Sequence, residues 1–253
     1  MDGPKTLLLD IETSAVLGWS WVFYDTNLID VLKDWSIICY SAKWLGGTQV
    51  THAIDRPKSL FHFIQNDEPD INLVRELWKL LDEADYVVGH NARSFDCKKI
   101  ASRFLHYGMP PPSPYKVLDT KVITKSVSNN TRNNQGVLLK DWGISFKMEN
   151  EGWPLWLKFM SGDLKAYKTM MSYNKQDVIG LEALYKHLIP WMKQEQGMFR
   201  NGTVCPHCGG KQLQSRGFTV NKTTKYRRIH CIDCGGWSRV PCVEKGSKPL
   251  VAL

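Results

Sequence analysis

Acidic side chains fall into three short blocks that lie far apart in the chain. The blocks are Asp10-Ile11-Glu12 in TLLLDIET, Asn91–Asp96 in NARSFD, and Tyr173–Asp177 in YNKQD. A site that hydrolyses phosphodiesters needs several carboxylates held close together, and divalent cations make that crowding tolerable. The order and internal spacing of the blocks therefore predict a site that holds two metal ions and cleaves phosphodiester bonds.

Each block also has a plain structural alternative. Two acids separated by one residue share a face of a strand, but acids are also common where strands end at solvent. Asn91 and Ser94 could cap a helix, with Asp96 as a favourable acid in its first turn. Tyr173 and Asp177 are four residues apart, so they could form a hydrogen-bonded pair on a helix surface. The catalytic interpretation depends on the three blocks occurring together.

In this order the blocks resemble the three motifs of the DEDD 3′→5′ exonuclease superfamily, in the branch that has tyrosine in the third motif. The resemblance covers roughly residues 5–193 and is strongest to exonucleases predicted in bacteria and their phages. It implies a ribonuclease H-like fold with two Mg²⁺ or Mn²⁺ ions. By that resemblance Asp10 bridges both ions, Glu12 and Asp177 complete the first site, Asp96 serves the second ion through water, and Tyr173 orients the attacking water.

The same resemblance implies hydrolysis of DNA from its 3′ ends, with single-stranded ends preferred because the site of this fold accepts an unpaired terminus. Phe95 is then a candidate contact to a terminal base or sugar, and a buried core aromatic is its alternative. Asp119 in KVLDT is expected to play a supporting part. Two other functions stay open: a structure-specific endonuclease or RNase on the same scaffold, and an inert nucleic-acid-binding protein.

The segments between the blocks predict the elements that must position them. Apolar runs indicate a buried strand, a hairpin and two further strands, the pattern indicates five helices, and the aromatic stretch 15–34 suggests a short helix. This mixture predicts an α/β fold with a mixed sheet flanked by helices. The predicted strands are 5–10, 35–44, 49–54, 86–90 and 116–120. The predicted helices are 71–85, 94–108, 138–144, 163–173 and 175–193, and the polar, Asn-rich stretch 126–136 is predicted to be a loop.

Four of the seven cysteines form two CxxC pairs, each followed by Gly-Gly, with 22 residues between the pairs. Two such turns can supply four thiolates to one tetrahedral, structural Zn²⁺. Unligated thiols or redox pairs are the alternative, and His207 or His230 could replace one ligand. The segment resembles a zinc ribbon like those at the ends of some transposase and nuclease chains. The predicted zinc ligands are Cys205, Cys208, Cys231 and Cys234.

The formal net charge of +8 is concentrated at one end of the chain. Residues 200–253 contain ten basic and two acidic side chains, so they carry the whole excess. This asymmetry predicts a polyanion-binding appendage on a neutral body, although a solvated basic tail is the alternative. Because the pattern of residues also changes after Gly197, we predict a catalytic domain at 1–196 and a nucleic-acid-binding domain at 197–253, with DNA expected before RNA as the partner. The predicted nucleic-acid contacts in this domain are Lys222, Lys225, Tyr226, Arg227 and Arg228.

The remaining features predict where the protein works. No apolar run approaches the roughly 20 residues that span a bilayer. The N-terminal segment has neither a basic lead nor a long apolar run, so no signal peptide is predicted. The odd number of cysteines argues against a disulfide framework. We therefore expect a cytoplasmic protein of a bacterial or phage-infected cell, without a membrane partner.

Overall fold

The computed structural model describes residues 5–22, 27–144, 151–192, 203–221 and 224–242. It divides into two compact units, one formed by residues 5–122 and 132–184 and the other by 123–131 with the described residues from 185 onward. The predicted boundary between residues 196 and 197 lies outside the described residues and stays a prediction.

A five-stranded mixed sheet forms the centre of the larger unit. Its strand order is β5-β4-β1-β6-β7, so β1 is the middle strand. β1 pairs antiparallel with β4 on one side and parallel with β6 on the other, and β4–β5 and β6–β7 extend the two edges. The strands are β1 (Thr6–Thr13), β4 (Ile37–Trp44), β5 (Gln49–Ala53), β6 (Tyr86–Gly89) and β7 (Lys116–Asp119).

The sheet and its helices confirm the predicted α/β class. The core joins Leu7, Leu9 and Ile11 of β1 to the apolar faces of several helices. The helices are α1 (Leu60–Gln65), α2 (Ile71–Glu83), α3 (Asp96–His106), α4 (Thr120–Val127), α5 (Gln135–Asp141), α6 (Trp153–Met160) and α7 (Leu164–Leu188), and one 3-10 turn follows at Ile189–Trp191. No helix in the described ranges is both long and apolar enough to cross a bilayer.

Two predicted elements are wrong. In the described part of the stretch 15–34, a small antiparallel hairpin of β2 (Leu17–Trp19) and β3 (Asp30–Lys33) takes the place of the expected helix. The two helices expected at 163–173 and 175–193 are one continuous helix, α7, which ends at Leu188. The helix continues through Asn174, whose side chain is fully buried.

The cysteine-rich segment forms a three-stranded antiparallel sheet in the order β10-β9-β8. Its strands are β8 (Leu213–Val220), β9 (Lys225–Cys231) and β10 (Trp237–Pro241). The CxxC turns lie before β8 and between β9 and β10. The arrangement is compatible with the predicted zinc ribbon.

Candidate active site and cysteine cluster

β1 places two carboxylates on one face of the central strand. Leu9 and Ile11 alternate with Asp10 and Glu12 and point into the core, so the two acids share the opposite face. Asp177 of α7 joins them. One oxygen from each of these three side chains lies within 4.8 Å of the others. Residues separated by more than 160 positions therefore form one acidic cluster.

This acidic cluster fits a hard divalent cation. An octahedral Mg²⁺ with bonds of about 2.1 Å separates its ligand oxygens by roughly 3.0–4.2 Å. The 4.8 Å upper limit on the oxygen separations of the cluster is close to that range. The field of the cluster acts on Cys39, the β4 residue paired with Glu12. Burial raises the pKa of the Cys39 thiol well above its ordinary value, and the carboxylates of Glu12, Asp10 and Asp177 raise it further.

Asp96 lies beside the cluster and is not one of its three members. β6 pairs with β1 only at Thr6, Leu7 and Leu8, so the Ile11 amide has no hydrogen-bond partner on β6. The Asp96 carboxylate takes the strand's place and accepts a 3.1 Å hydrogen bond from the Ile11 N–H. The fourth acid is thereby fixed to the peptide between Asp10 and Glu12.

Burial dominates the electrostatics of Asp96. Burial raises the pKa of this carboxyl from 3.8 to about 6, and the charge of Asp119 adds to the rise, while hydrogen bonds from the Ile11 and Asp96 amides oppose it. The ionised form is therefore less favoured in the protein than in water, although a pKa of about 6 still leaves most of the carboxyl ionised at pH 7. A cation bound nearby would favour it.

The second acidic block is held by Asp119, at the end of β7. Its carboxylate accepts hydrogen bonds from the amides of Asn91 (3.0 Å), Arg93 (3.1 Å) and Lys121 (3.0 Å). Asn91 adopts a left-handed backbone conformation with φ of 72°. No side-chain hydrogen bond caps α3, so the capping alternative is wrong for Asn91 and Ser94. Asp119 supports the loop that leads to Asp96.

Phe95 is 38% exposed at the start of α3, which excludes the buried-core alternative. Tyr173 lies one turn before Asp177 on α7 and is buried, with its ring packed edge-on against Trp156 at a centroid distance of 6.3 Å. Burial of the tyrosine contradicts the alternative in which it forms a surface pair with Asp177. The structure places both aromatic side chains next to acids of the second and third blocks.

Two positioning contacts were not predicted from the sequence. The buried amide of Asn174 donates a 2.7 Å hydrogen bond to Asp10 Oδ2. Gln135, at the start of α5, donates 2.8 Å to the backbone carbonyl of Asp177. Asn174 could have been suspected from its place beside Tyr173, but nothing near Gln135 in the sequence indicates its partner.

The four cysteines of the two CxxC pairs converge. Their sulfurs lie within 4.8 Å of one another, with Cys205–Cys234 at 3.7 Å and Cys208–Cys231 at 3.8 Å. A tetrahedron with Zn–S bonds of about 2.3 Å has edges of about 3.8 Å. The sulfur spacing therefore matches a four-thiolate zinc site.

Backbone amides surround the sulfurs. Gly210 N and Gly236 N donate to Cys208 and Cys234 at 3.3 and 3.4 Å, in turns where Gly209 and Gly235 have φ of 75° and 71°. These contacts stabilise thiolates, and the left-handed turns require glycine. His207 contributes no ligand atom to the sulfur cluster, since its Nε2 lies 3.0 Å from the Trp237 carbonyl.

The predicted nucleic-acid contacts of the ribbon are spread over β9, which contains Lys225, Tyr226, Arg227 and Arg228. Tyr226 is half-buried, and the other three are exposed. Lys222 lies outside the described residues. Neighbouring residues on a strand point to opposite faces, so these four side chains belong to two surfaces.

The match to a family model agrees with this architecture. A family model described as RNase_H superfamily matches residues 44–189, more than half of the chain. Among solved structures, the family B DNA polymerase of the archaeon Pyrobaculum calidifontis is similar, with a TM-score of 0.49 and 13% identity. That match covers 88% of this chain and 32% of the polymerase. No curated protein matches the chain.

Proposed function

The chain belongs to the RNase_H superfamily, and from this premise we propose that it is a metal-dependent 3′→5′ exonuclease that hydrolyses the phosphodiester bonds of DNA. The observation that carries the proposal is the convergence of Asp10, Glu12 and Asp177, with Asp96 fixed to the strand between the first two. The direction of cleavage and the preference for single-stranded ends rest on the resemblance to the tyrosine-type DEDD motifs.

Asp10, Glu12 and Asp177 would hold a first Mg²⁺ or Mn²⁺, and Asp10 with Asp96 would hold a second, the latter through water. Such ions supply an activated water and neutralise the charge that develops on the phosphate. The chain's own residues set the geometry: Asn174 fixes the Asp10 carboxylate, and Gln135 holds α7 at Asp177. Tyr173 would orient the attacking water.

We also propose that Cys205, Cys208, Cys231 and Cys234 hold one structural Zn²⁺ and that the ribbon captures the nucleic acid. The sulfur spacing supports the zinc, since it matches a tetrahedron of Zn–S bonds. A segment this short has little apolar core, so the metal would supply much of its folding free energy. Charge supports the capture, because this end of the chain carries the whole positive excess.

Matched single- and double-stranded DNA and RNA, each labelled at the 5′ end, test the proposed reaction with Mn²⁺ or Mg²⁺. We expect a ladder of progressively shorter labelled products from single-stranded DNA. One internal cut would instead indicate a structure-specific endonuclease, and preferential shortening of RNA would indicate an RNase. Absence of cleavage with either metal would indicate an inert binding protein.

Variants of the cluster connect that activity to the site. Asp10→Asn and Asp177→Asn keep the size of the side chains and remove one charge each, and we expect both to abolish cleavage. Asp55→Asn is the matched control, because Asp55 is exposed and outside the cluster. Wild-type rates in either cluster variant would contradict the assignment.

A further inference from the structure

The three-stranded sheet of the ribbon has two chemically different faces. Paired residues of antiparallel strands point to the same side of a sheet. Phe218 pairs with Arg227, whereas Arg228 pairs with Arg239 and His230 pairs with Trp237. The adjacent arginines at 227 and 228 therefore belong to opposite faces. The arginine face contains Tyr226, Arg228, His230, Trp237 and Arg239, and the lysine face contains Phe218, Val220, Lys225, Arg227 and Val240.

A β-bulge adds a third arginine to the arginine face. The register shifts between Ser215 and Phe218, so Arg216 and Gly217 together lie opposite Arg228. Gly217 has φ of 75°, and a Cβ built on it would lie 3.4 Å from the Arg228 guanidinium, which places that side chain over the bulge. Arg216 donates 2.8 Å to Gln214, whose strand partner is His230 of the same face. Each of the three strands thus contributes one arginine.

Planar side chains lie on both sides of the row that Arg216, Arg228 and Arg239 form across the sheet, with Tyr226 on one side and His230 and Trp237 on the other. The Arg239 guanidinium lies 4.4 Å from the centre of the Tyr226 ring. Trp237 is 46% exposed, and its ring lies 4.6 Å from that of His230. Rings and guanidinium planes are the groups on which unpaired bases stack. Strands lie about 4.8 Å apart, so the three arginines extend over roughly 10 Å across the sheet.

The arginine face carries no acid, and no described carboxylate forms an ion pair with Arg216, Arg228 or Arg239. The basic residues of the lysine face also have no ion pair among the described residues, so the faces differ in their other groups: Lys225 lies 4.3 Å from the centre of the Phe218 ring, and the exposed aliphatic side chain of Val220 lies beside them. Cations without acidic partners attract phosphates, whereas an aliphatic side chain neither attracts a phosphate nor provides a planar surface on which a base can stack.

We propose that the arginine face binds single-stranded nucleic acid, with its arginines on phosphates and Trp237 stacked on a base. This inference rests on the proposed function of the ribbon and names the surface that performs it. The sequence predicts Lys225 and Arg227 as nucleic-acid contacts together with Tyr226 and Arg228. The structure places Lys225 and Arg227 on the opposite face, so the proposal leaves these two residues out of the binding surface.

Adjacent arginines provide a matched pair of variants. Binding of the full chain to a fluorescent single-stranded oligothymidylate is measured by anisotropy across a salt series, without Mg²⁺ or Mn²⁺ so that no cleavage occurs. The logarithm of the binding constant falls as the logarithm of the salt concentration rises. We expect Arg228→Ala and Arg239→Ala each to make this slope shallower by about 0.7, the value for one phosphate contact on a single strand. Arg227→Ala should leave the slope unchanged. Trp237→Leu should weaken binding roughly 5- to 150-fold with little change in slope.

Zinc content is measured for every variant, so that loss of the ribbon fold is recognised. Arg239→Lys serves as a second variant if Arg239→Ala loses zinc, since it keeps the charge and should keep the slope. Equal effects of Arg227→Ala and Arg228→Ala, with zinc retained, would overturn the assignment of the face. Cleavage of the oligonucleotide is tested separately: if it is absent while the two arginines still differ, the proposed exonuclease fails and the binding face stands.

Discussion

Replacement of Asp96 by asparagine is expected to stabilise the protein and inactivate it. The carboxyl is 4% exposed, and burial raises its pKa from 3.8 to about 6. An acid with a raised pKa binds a proton more tightly in the folded state than in the unfolded state. The free energy of unfolding is therefore reduced above pH 6, where Asp96 must ionise, and is unaffected below pH 4. One pKa unit corresponds to about 1.4 kcal/mol, so the penalty at neutral pH is about 3 kcal/mol.

Asparagine removes this penalty and keeps the contact. Its side-chain oxygen can still accept the hydrogen bond that Asp96 receives from the Ile11 amide. Urea denaturation at pH 7.5, without Mg²⁺ or Mn²⁺ and with zinc retained, should show Asp96→Asn about 3 kcal/mol more stable than the wild type. The difference should shrink towards zero as the pH falls from 6 to 4. Cleavage activity should be lost at every pH.

Asp96→Ala is the control for this argument, because it removes the charge and also the acceptor. The unsatisfied Ile11 amide costs about 1–3 kcal/mol, so the alanine variant should be less stable than the asparagine variant at every pH. Mn²⁺ should stabilise the wild type more than Asp96→Asn. A less stable Asp96→Asn at pH 7.5, or a stability difference that does not depend on pH, would refute the reasoning.

Three further predictions concern the remaining parts of the molecule. Cys205→Ser should release the zinc and weaken nucleic-acid binding, whereas Cys242→Ser, at an exposed cysteine outside the cluster, should retain one zinc per chain by atomic absorption. Asn174→Ala should weaken Mn²⁺ binding roughly 10- to 100-fold in an electron paramagnetic resonance titration, because the amide orients Asp10; unchanged affinity would remove it from the site. Arg103→Met should destabilise the fold by about 3–5 kcal/mol in urea, because it leaves the buried Asp70 without its ion pair; a loss below about 1 kcal/mol would show that the pair contributes little.

The sequence predicts best the features that follow from local pattern. Alternation along β1 placed Asp10 and Glu12 on one face, and apolar runs located all five strands of the central sheet to within a few residues. The CxxC pairs predicted sulfurs that the structure brings together. Each of these inferences depends on residues that are neighbours in the chain.

Features that depend on distant partners were missed. The sequence predicts a break at Asn174, yet α7 continues through this residue, and its buried amide donates a hydrogen bond to Asp10, 164 positions away. Gln135 lies in a polar stretch that the sequence marks only as a loop, and its function depends on the carbonyl of Asp177. The two faces of the ribbon follow from strand register and a bulge, which composition cannot reveal.

The central claim is that Asp10, Glu12 and Asp177 hold a catalytic cation, and anomalous diffraction from crystals soaked in Mn²⁺ tests it most directly. Our account predicts a manganese peak among the three carboxylates, with a second peak on the Asp96 side of Asp10, and the loss of both in Asp10→Asn. Crystals that bind manganese elsewhere, or show these carboxylates in place with no peak among them, would contradict it.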